Sequence, residues 1–287
     1  MTLLAHTTQE ETARITSTGE LLRATWNWDP WVLLPMAAGL LLYLWWVDFK
    51  WNRQTLLFLV GNLVIFLALV SPIATIGETY LFSVHMLQHL LLTLVAVPLL
   101  LLGIPKHITQ RLLRIRWLRQ ITRPLGNPIL AWVIGVGTLW VWHLPVLYNW
   151  TLENEWVHAT EHICFVLSAT VFWNAVLDPI AAFRLKTGQA ILYVIAAGFA
   201  NSLLAILLTF APHAIYPYYS RPADPFGALE FIRNTWGIDS AMDQQMAGAL
   251  MWVMGSVIVL LVVMGVLAHW YRKPEPDLWY GINEGAS

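Results

Sequence analysis

Two pairs of histidines in this chain could bind a metal ion. His85 and His89 are four residues apart in HMLQHL, and His158 and His162 are four residues apart in HATEH. Residues four apart lie on one face of a helix, so each pair can direct two imidazoles at one ion. Imidazole nitrogen is a good ligand for copper, zinc and iron. The spacing therefore favours a metal or cofactor site.

Other side chains near these pairs have suitable chemistry. Met86 lies between the first two histidines, and its thioether sulfur favours Cu(I). Glu161 adjoins His162 and could bind the ion or orient an imidazole. His143 in WHLP could instead be an interfacial hydrogen-bonding residue, and Asp243 in DQQM could be a helix cap. The candidate metal-binding residues are His85, Met86, His89, His143, His158, Glu161, His162 and Asp243.

The composition is that of a polytopic membrane protein. Of the 287 residues, 58% are hydrophobic and 11% are charged, whereas soluble domains contain about 25% charged residues. A single cysteine excludes a disulfide framework and a CxxC metal or redox motif. Apolar runs of about 20 residues can cross a bilayer as helices. We therefore predict an all-α bundle of seven transmembrane helices at 31–47, 55–71, 81–103, 128–148, 157–177, 188–210 and 245–270.

Basic residues predict how the bundle is oriented. Twelve of the 16 Lys and Arg residues fall after the first, third and fifth spans and in the C-terminal tail. Since cytoplasmic loops are enriched in these residues, we expect the N-terminus outside and the C-terminus in the cytoplasm of a multi-pass protein of the cell inner (plasma) membrane. The paired histidines, His143 and Asp243 then lie near the outer face. Ionisable groups inside a membrane protein are functional candidates.

The predicted organisation has three parts. A polar tail (1–27), which we expect to be mobile, precedes the transmembrane domain (28–271), and a cytoplasmic tail (272–287) follows it. The connection at 108–123, ITQRLLRIRWLRQITR, is basic and amphipathic, as in helices that lie on anionic lipid or dock a partner. The long outer connection at 213–242 is compatible with a folded lid or a partner surface.

The chain resembles the CtaG-like family of assembly factors for caa-type cytochrome c oxidases over residues 28–270. Five segments carry the resemblance, in this order: HMLQHLLLTLVAVPLLLLGIP, WHLPVLYN, HATEHICFVLSATVFW, IYPYY and DQQMAGALMW. The family often has two tryptophans where this chain has Phe172-Trp173-Asn174. Matched residue by residue, the family's motifs fall on His85, His89, His143, His158, His162, Asp243 and Gln244.

The resemblance implies a non-enzymatic protein that matures the oxidase by delivering copper or by helping to form a copper centre. Its expected partners are oxidase subunits and the lipid bilayer, and no nucleic acid is expected. The residues alone leave alternatives open. Histidines from two helices could hold a haem. HATEH matches the HxxEH pattern of inverted zinc peptidases, although the required downstream acidic ligand is not evident. A structural subunit of a respiratory complex would need neither group.

Overall fold

The structure is a computed structural model that describes residues 14–177 and 185–271. These residues are predominantly helical and contain no strand, which confirms the predicted all-α class. The described residues also contain a π-helix (Leu91–Ala96) and a 3-10 turn (Pro217–Ser220). The α-helices are α1 (Thr18–Ala24), α2 (Pro30–Trp46), α3 (Arg53–Leu69), α4 (Pro72–Thr79), α5 (Phe82–Leu90), α6 (Val97–Gly103), α7 (Lys106–Leu112), α8 (Arg116–Leu125), α9 (Pro128–Trp142), α10 (Pro145–Glu153), α11 (Glu155–Leu177), α12 (Thr187–Thr209), α13 (Leu229–Asn234) and α14 (Ser240–Tyr271).

The described residues contain four to six candidate membrane spans. Four helices are long and apolar enough by themselves, namely α5–α6 with its π segment, α11, α12 and α14. The number reaches six if the bent pairs α3–α4 and α8–α9, which turn by 40° and 80°, each form one span. Helix α2 is apolar but has only 17 residues. The prediction of several membrane-spanning helices is confirmed at this level.

The fourth predicted span is shorter than the sequence suggested. We predicted a continuous helix at 128–148, but α9 ends at Trp142 and α10 begins at Pro145. The residue before a proline disfavours the α conformation, and Leu144 is accordingly extended, with ψ of 128°. The break leaves His143 at the end of α9, where its ring can face the interior of the helix bundle.

A π-helix follows directly after the first histidine pair. Its six residues run from Leu91 to Ala96, and Pro98, which has no N–H to donate, lies just beyond it. The Thr93 carbonyl accepts a hydrogen bond of 2.9 Å from the indole of Trp173. Segments of this kind inside α-helices often occur near functional sites. Here a hydrogen bond to the segment links α5–α6 to α11, the helix that carries the second histidine pair.

Close packing against α12 and α5 sets the position of α14. A methyl group at Gly248 would lie 2.8 Å from the Ala205 carbonyl oxygen of α12. Small residues allow membrane helices to approach in this way. The approach brings the first turn of α14 beside the first turn of α5.

Residues 14–25 are folded against the bundle, which differs from the mobile tail that we expected. Ser17 caps α1 by accepting a hydrogen bond from the Glu20 amide. Leu21 is fully buried in a cluster with Tyr80 and Ile232. Residues 1–13 and the predicted C-terminal tail (272–287) lie outside the described residues.

Candidate metal centre

The four paired histidines meet between α5 and α11, which begin at the same end of the bundle. We call this the histidine end. His85 and His158 lie in the first turns of the two helices, with ring centroids 5.6 Å apart. His89 and His162 lie four residues deeper, about 6 Å along the axis, with centroids 5.2 Å apart. The four rings therefore form two layers, each with one imidazole from each helix.

Glu161 adds a carboxylate to the layer nearer the histidine end, which is formed by His85 and His158. One of its oxygens and one ring nitrogen each of His85 and His158 all lie within 4.8 Å of one another. Metal–nitrogen bonds are about 2 Å long, so the ligands of one ion lie roughly 3–4 Å apart. Small side-chain rotations would bring these three atoms onto one ion. We call Glu161 and the four histidines the histidine cluster.

The polar atoms of the histidine cluster are buried and lack hydrogen-bond partners within the described part of the chain. The atoms concerned are Nδ1 and Nε2 of His85, Nδ1 and Nε2 of His89, Nε2 of His158, Nε2 of His162, and Oε2 of Glu161. An unsatisfied buried polar group costs about 1–3 kcal/mol, and a buried carboxylate without a cation costs more. A bound cation would satisfy several of these groups at once. The donor set, imidazole with one carboxylate, suits copper or zinc.

Aromatic rings enclose the histidine cluster. Tyr148 of α10 packs edge-on against His85, with centroids 5.4 Å apart. Phe165 of α11 lies 4.6 Å from His89, below the deeper layer. These contacts leave the imidazoles of α5 at most 5% exposed. An ion in the cluster would be largely shielded from water.

The connection between α12 and α14 covers the histidine cluster from the histidine end. The Tyr219 hydroxyl donates to the Gly77 carbonyl at 2.9 Å and so must accept, at 3.0 Å, from the hydroxyl of Tyr148. Burial raises the pKa of Tyr219 well above its ordinary range, so the hydroxyl remains a donor. Arg233 of α13 donates to the Tyr219 carbonyl. The connection is therefore a folded cover, one of the two structures expected for it.

Two residues at the cluster were not predicted from the sequence. Oε1 of Glu78 lies 3.8 Å from Nε2 of His158, and the Glu78 side chain is 33% exposed. It therefore links the histidine cluster to the surface. A methyl group at Gly77 would lie 2.8 Å from the His85 amide nitrogen, so glycine is needed for α4 to approach α5. The signal available in the sequence was a lone carboxylate in the apolar stretch SPIATIGETY.

Met86 and His143 form a separate pair. His143 Nε2 lies 3.3 Å from the Met86 sulfur, and its Nδ1 lies 2.7 Å from the Leu139 carbonyl oxygen. Both side chains are buried. The structure thus brings these two predicted site residues together, in a contact distinct from the layered histidines.

Asp243 serves the helix that carries the first histidine pair. Its carboxylate accepts hydrogen bonds from the backbone amides of Phe82 and Ser83, at 2.6 and 3.1 Å. The neighbouring Gln244 accepts from the Ile215 amide at 2.6 Å. It donates to the carbonyl of Leu208, in α12, and to that of His213, in the α12–α14 connection. Asp243 therefore lies outside the histidine cluster, capping the N-terminus of α5, where a negative charge is favourable.

Comparison with known families identifies the chain. The model of the cytochrome c oxidase caa3 assembly factor family (Caa3_CtaG) matches residues 40–273. The chain belongs to this family. The match spans all eight candidate residues and confirms the resemblance seen in the sequence.

Curated relatives of this Caa3_CtaG-family chain are uncharacterized proteins. One from Mycobacterium leprae (strain TN) is 27% identical over 241 residues, covering 75% of this chain and 35% of that protein. Another, from Mycobacterium bovis, is 24% identical over 213 residues, covering 67% of this chain and 30% of the relative. The chain thus spans about a third of the length of the curated relatives that it matches. No solved structure matches it.

Proposed function

We propose that this protein binds copper in the histidine cluster and helps to form a copper centre of a caa3-type cytochrome c oxidase. The observation that carries the proposal is the layered group of buried imidazoles and one carboxylate whose polar atoms have no partner in the described residues. Membership of the assembly-factor family supports the oxidase as the recipient. Copper is the cargo, held long enough to be passed on.

The proposed topology has seven spans, with the histidine end facing outward from the plasma membrane. It counts α2, the bent pair α3–α4, α9 without α8, and the four long helices. Four described basic residues lie at the histidine end: Arg14, Arg23, Arg221 and Arg233. Nine lie at the other end: Lys50, Arg53, Lys106, Arg111, Arg114, Arg116, Arg119, Arg123 and Lys186. This bias supports a cytoplasmic location for the second group, so copper would reach the cluster without crossing the bilayer.

Each part of the site has a task in this proposal. The imidazoles supply neutral donors, and the carboxylate of Glu161 offsets part of the charge of the ion. Glu78, at the exposed edge, attracts cations toward His158. Asp243 positions α5 and thereby His85. No covalent step is required of the protein, and the oxidase subunits receive the ion by lateral contact.

The test uses a bacterium with a caa3-type oxidase whose own copy of this protein has been deleted. Cells carrying the wild-type chain or His213→Ala, an exposed histidine at the same end, should assemble oxidase with a normal ratio of copper to haem. Cells carrying His85→Ala/His158→Ala should assemble oxidase that is deficient in copper. Immunoblots of membranes verify that each variant accumulates.

Fully copper-loaded oxidase in cells with the double variant, at wild-type levels of the protein, would overturn the proposal. The visible spectrum of the purified chain provides an independent check. A Soret band that disappears in the double variant would assign the imidazoles to haem instead.

A further inference from the structure

We propose that Met86 and His143 form a second metal site, specific for Cu(I) and separate from the histidine cluster. The pair joins α5 to the end of α9, and its two heavy atoms lie 3.3 Å apart. The inference does not require that the histidine cluster bind copper, because it rests on a different pair of atoms.

The hydrogen bonding of His143 determines which of its nitrogens is free to bind a metal. A carbonyl oxygen can only accept a hydrogen bond, so the 2.7 Å contact with Leu139 requires the proton on Nδ1. A doubly protonated imidazole would be a buried cation, which is costly without a facing anion. The ring is therefore neutral, and Nε2 carries a lone pair.

That lone pair faces another electron-rich atom. The Met86 sulfur is a weak acceptor and has no proton to offer, so no hydrogen lies between it and Nε2 of His143. Two lone pairs directed at one another over 3.3 Å are arranged as ligands of a common ion. Metal–nitrogen and metal–sulfur bonds are about 2.0 and 2.3 Å long. In a bent nitrogen–metal–sulfur arrangement, the nitrogen and sulfur atoms therefore lie roughly 3–4 Å apart.

The surroundings favour a soft, singly charged ion. Met86 belongs to a buried apolar cluster with Leu90 and Met251, and Met254 packs against it. A thioether with one neutral imidazole selects Cu(I), whereas Zn²⁺ and Mg²⁺ favour harder or charged donors. The site is thus suited to copper that has already been reduced.

The local structure holds both ligands in place. The Tyr216 hydroxyl donates to the His143 carbonyl at 2.9 Å and fixes the end of α9. Met86 follows the segment whose amides are capped by Asp243. Both side chains are buried, Met86 at 1% exposed and His143 at 7%. The donors are therefore preorganised.

The test is X-ray absorption at the copper edge on the full-length chain in detergent, loaded with Cu(I) under anaerobic conditions. Met86→Leu removes the sulfur at nearly constant volume, and Met251→Leu is the matched control in the same buried cluster. Wild type and Met251→Leu should show a copper–sulfur distance of about 2.3 Å, and Met86→Leu should lose it. Excess Zn²⁺ should not remove the signal from wild type.

A copper–sulfur signal that persists in Met86→Leu would overturn the inference, as would loading of wild type without any sulfur signal. The variant His85→Ala/His158→Ala separates this inference from the proposed function. A sulfur signal retained in this variant would show that the Met86–His143 site is independent of the histidine cluster. Loss of the sulfur signal would show that both groups bind one common ion, which would overturn the inference of a separate site. If wild type shows the sulfur signal but binds no copper at the imidazoles of α5 and α11, this inference stands and the proposed function fails.

Discussion

At the scale of single residues, the buried donors of the histidine cluster are the feature that an ordinary membrane bundle would avoid. Both ring nitrogens of His85 and one carboxylate oxygen of Glu161 have no hydrogen-bond partner in the described structure. Glu161 is only 1% exposed. Burying a carboxylate beside several unsatisfied imidazoles is unfavourable unless a cation binds among them. We therefore expect the folded chain to be more stable with a metal ion bound in the histidine cluster than without one.

Glu161→Gln tests the carboxylate. The amide has nearly the same shape but no charge, so we expect the dissociation constant for copper to rise about 10- to 100-fold. Glu155→Gln, an exposed position in the first turn of the same helix, should leave it unchanged. Competition titration with a copper chelator measures both values. Equal affinities of Glu161→Gln and wild type would contradict the role given to Glu161. Peptide hydrolysis lost in Glu161→Gln would support a zinc peptidase.

At the scale of elements, the histidine cluster depends on the close approach of α4, α5 and α14. Gly77 lets α4 touch the backbone at His85, and Asp243 of α14 caps α5 through the amides of Phe82 and Ser83. The π-helix after His89 brings a free carbonyl to Trp173 of α11. The proposed ligands are therefore held by contacts between helices rather than by a loop.

Gly77→Ala should loosen this approach. The added methyl group would lie 2.8 Å from the His85 amide nitrogen, and such overpacking costs about 1–3 kcal/mol. We expect a lower midpoint of thermal unfolding in detergent and weaker copper binding. Gly137→Ala, in α9, meets no atom within 4 Å and should be neutral or stabilising by up to about 1 kcal/mol. Equal midpoints for Gly77→Ala and wild type would show that α4 can move without cost.

At the scale of the whole molecule, nine of the 13 described basic residues lie at the end of the bundle opposite the histidine cluster. Helices α7 and α8 and the turn between them carry six of the 13 described basic residues, and α8 turns by 80° from α9. This arrangement supports a helix lying along an anionic membrane surface. Under the proposed topology, the histidine end would face the outside, where we expect copper for a caa3-type oxidase to be received.

Cysteine labelling tests this orientation. In a Cys164→Ser background, Ala223→Cys places a thiol at an exposed position of the histidine end, and Gln120→Cys places one on α8. A membrane-impermeant maleimide should label Ala223→Cys in intact cells, and Gln120→Cys only after permeabilisation. The reverse pattern would place the histidine end in the cytoplasm.

Much of this arrangement was predictable because membrane helices have strong sequence signals. The apolar runs predicted several of the helices, and the basic residues together with the four-residue spacing predicted that both histidine pairs lie near one face of the membrane. The role of Asp243 was left open, since a carboxylate near the start of a helix can either cap a helix or bind a metal ion. Glu78 was missed because it lies on a short helix that only tertiary packing brings to His158. The folding of residues 14–25 was missed, although Ser17 and Glu20 have the spacing of a capping box.

Copper retention by the purified full-length chain tests the central claim most directly. The chain is loaded anaerobically in detergent, dialysed, and analysed for copper per protein by mass spectrometry of the metal. Wild type and His213→Ala should retain the same amount, and His85→Ala/His158→Ala should retain about one ion fewer per chain. Circular dichroism verifies that each protein is folded. Equal copper retention by all three proteins would contradict the claim that imidazoles of α5 and α11 hold a copper ion.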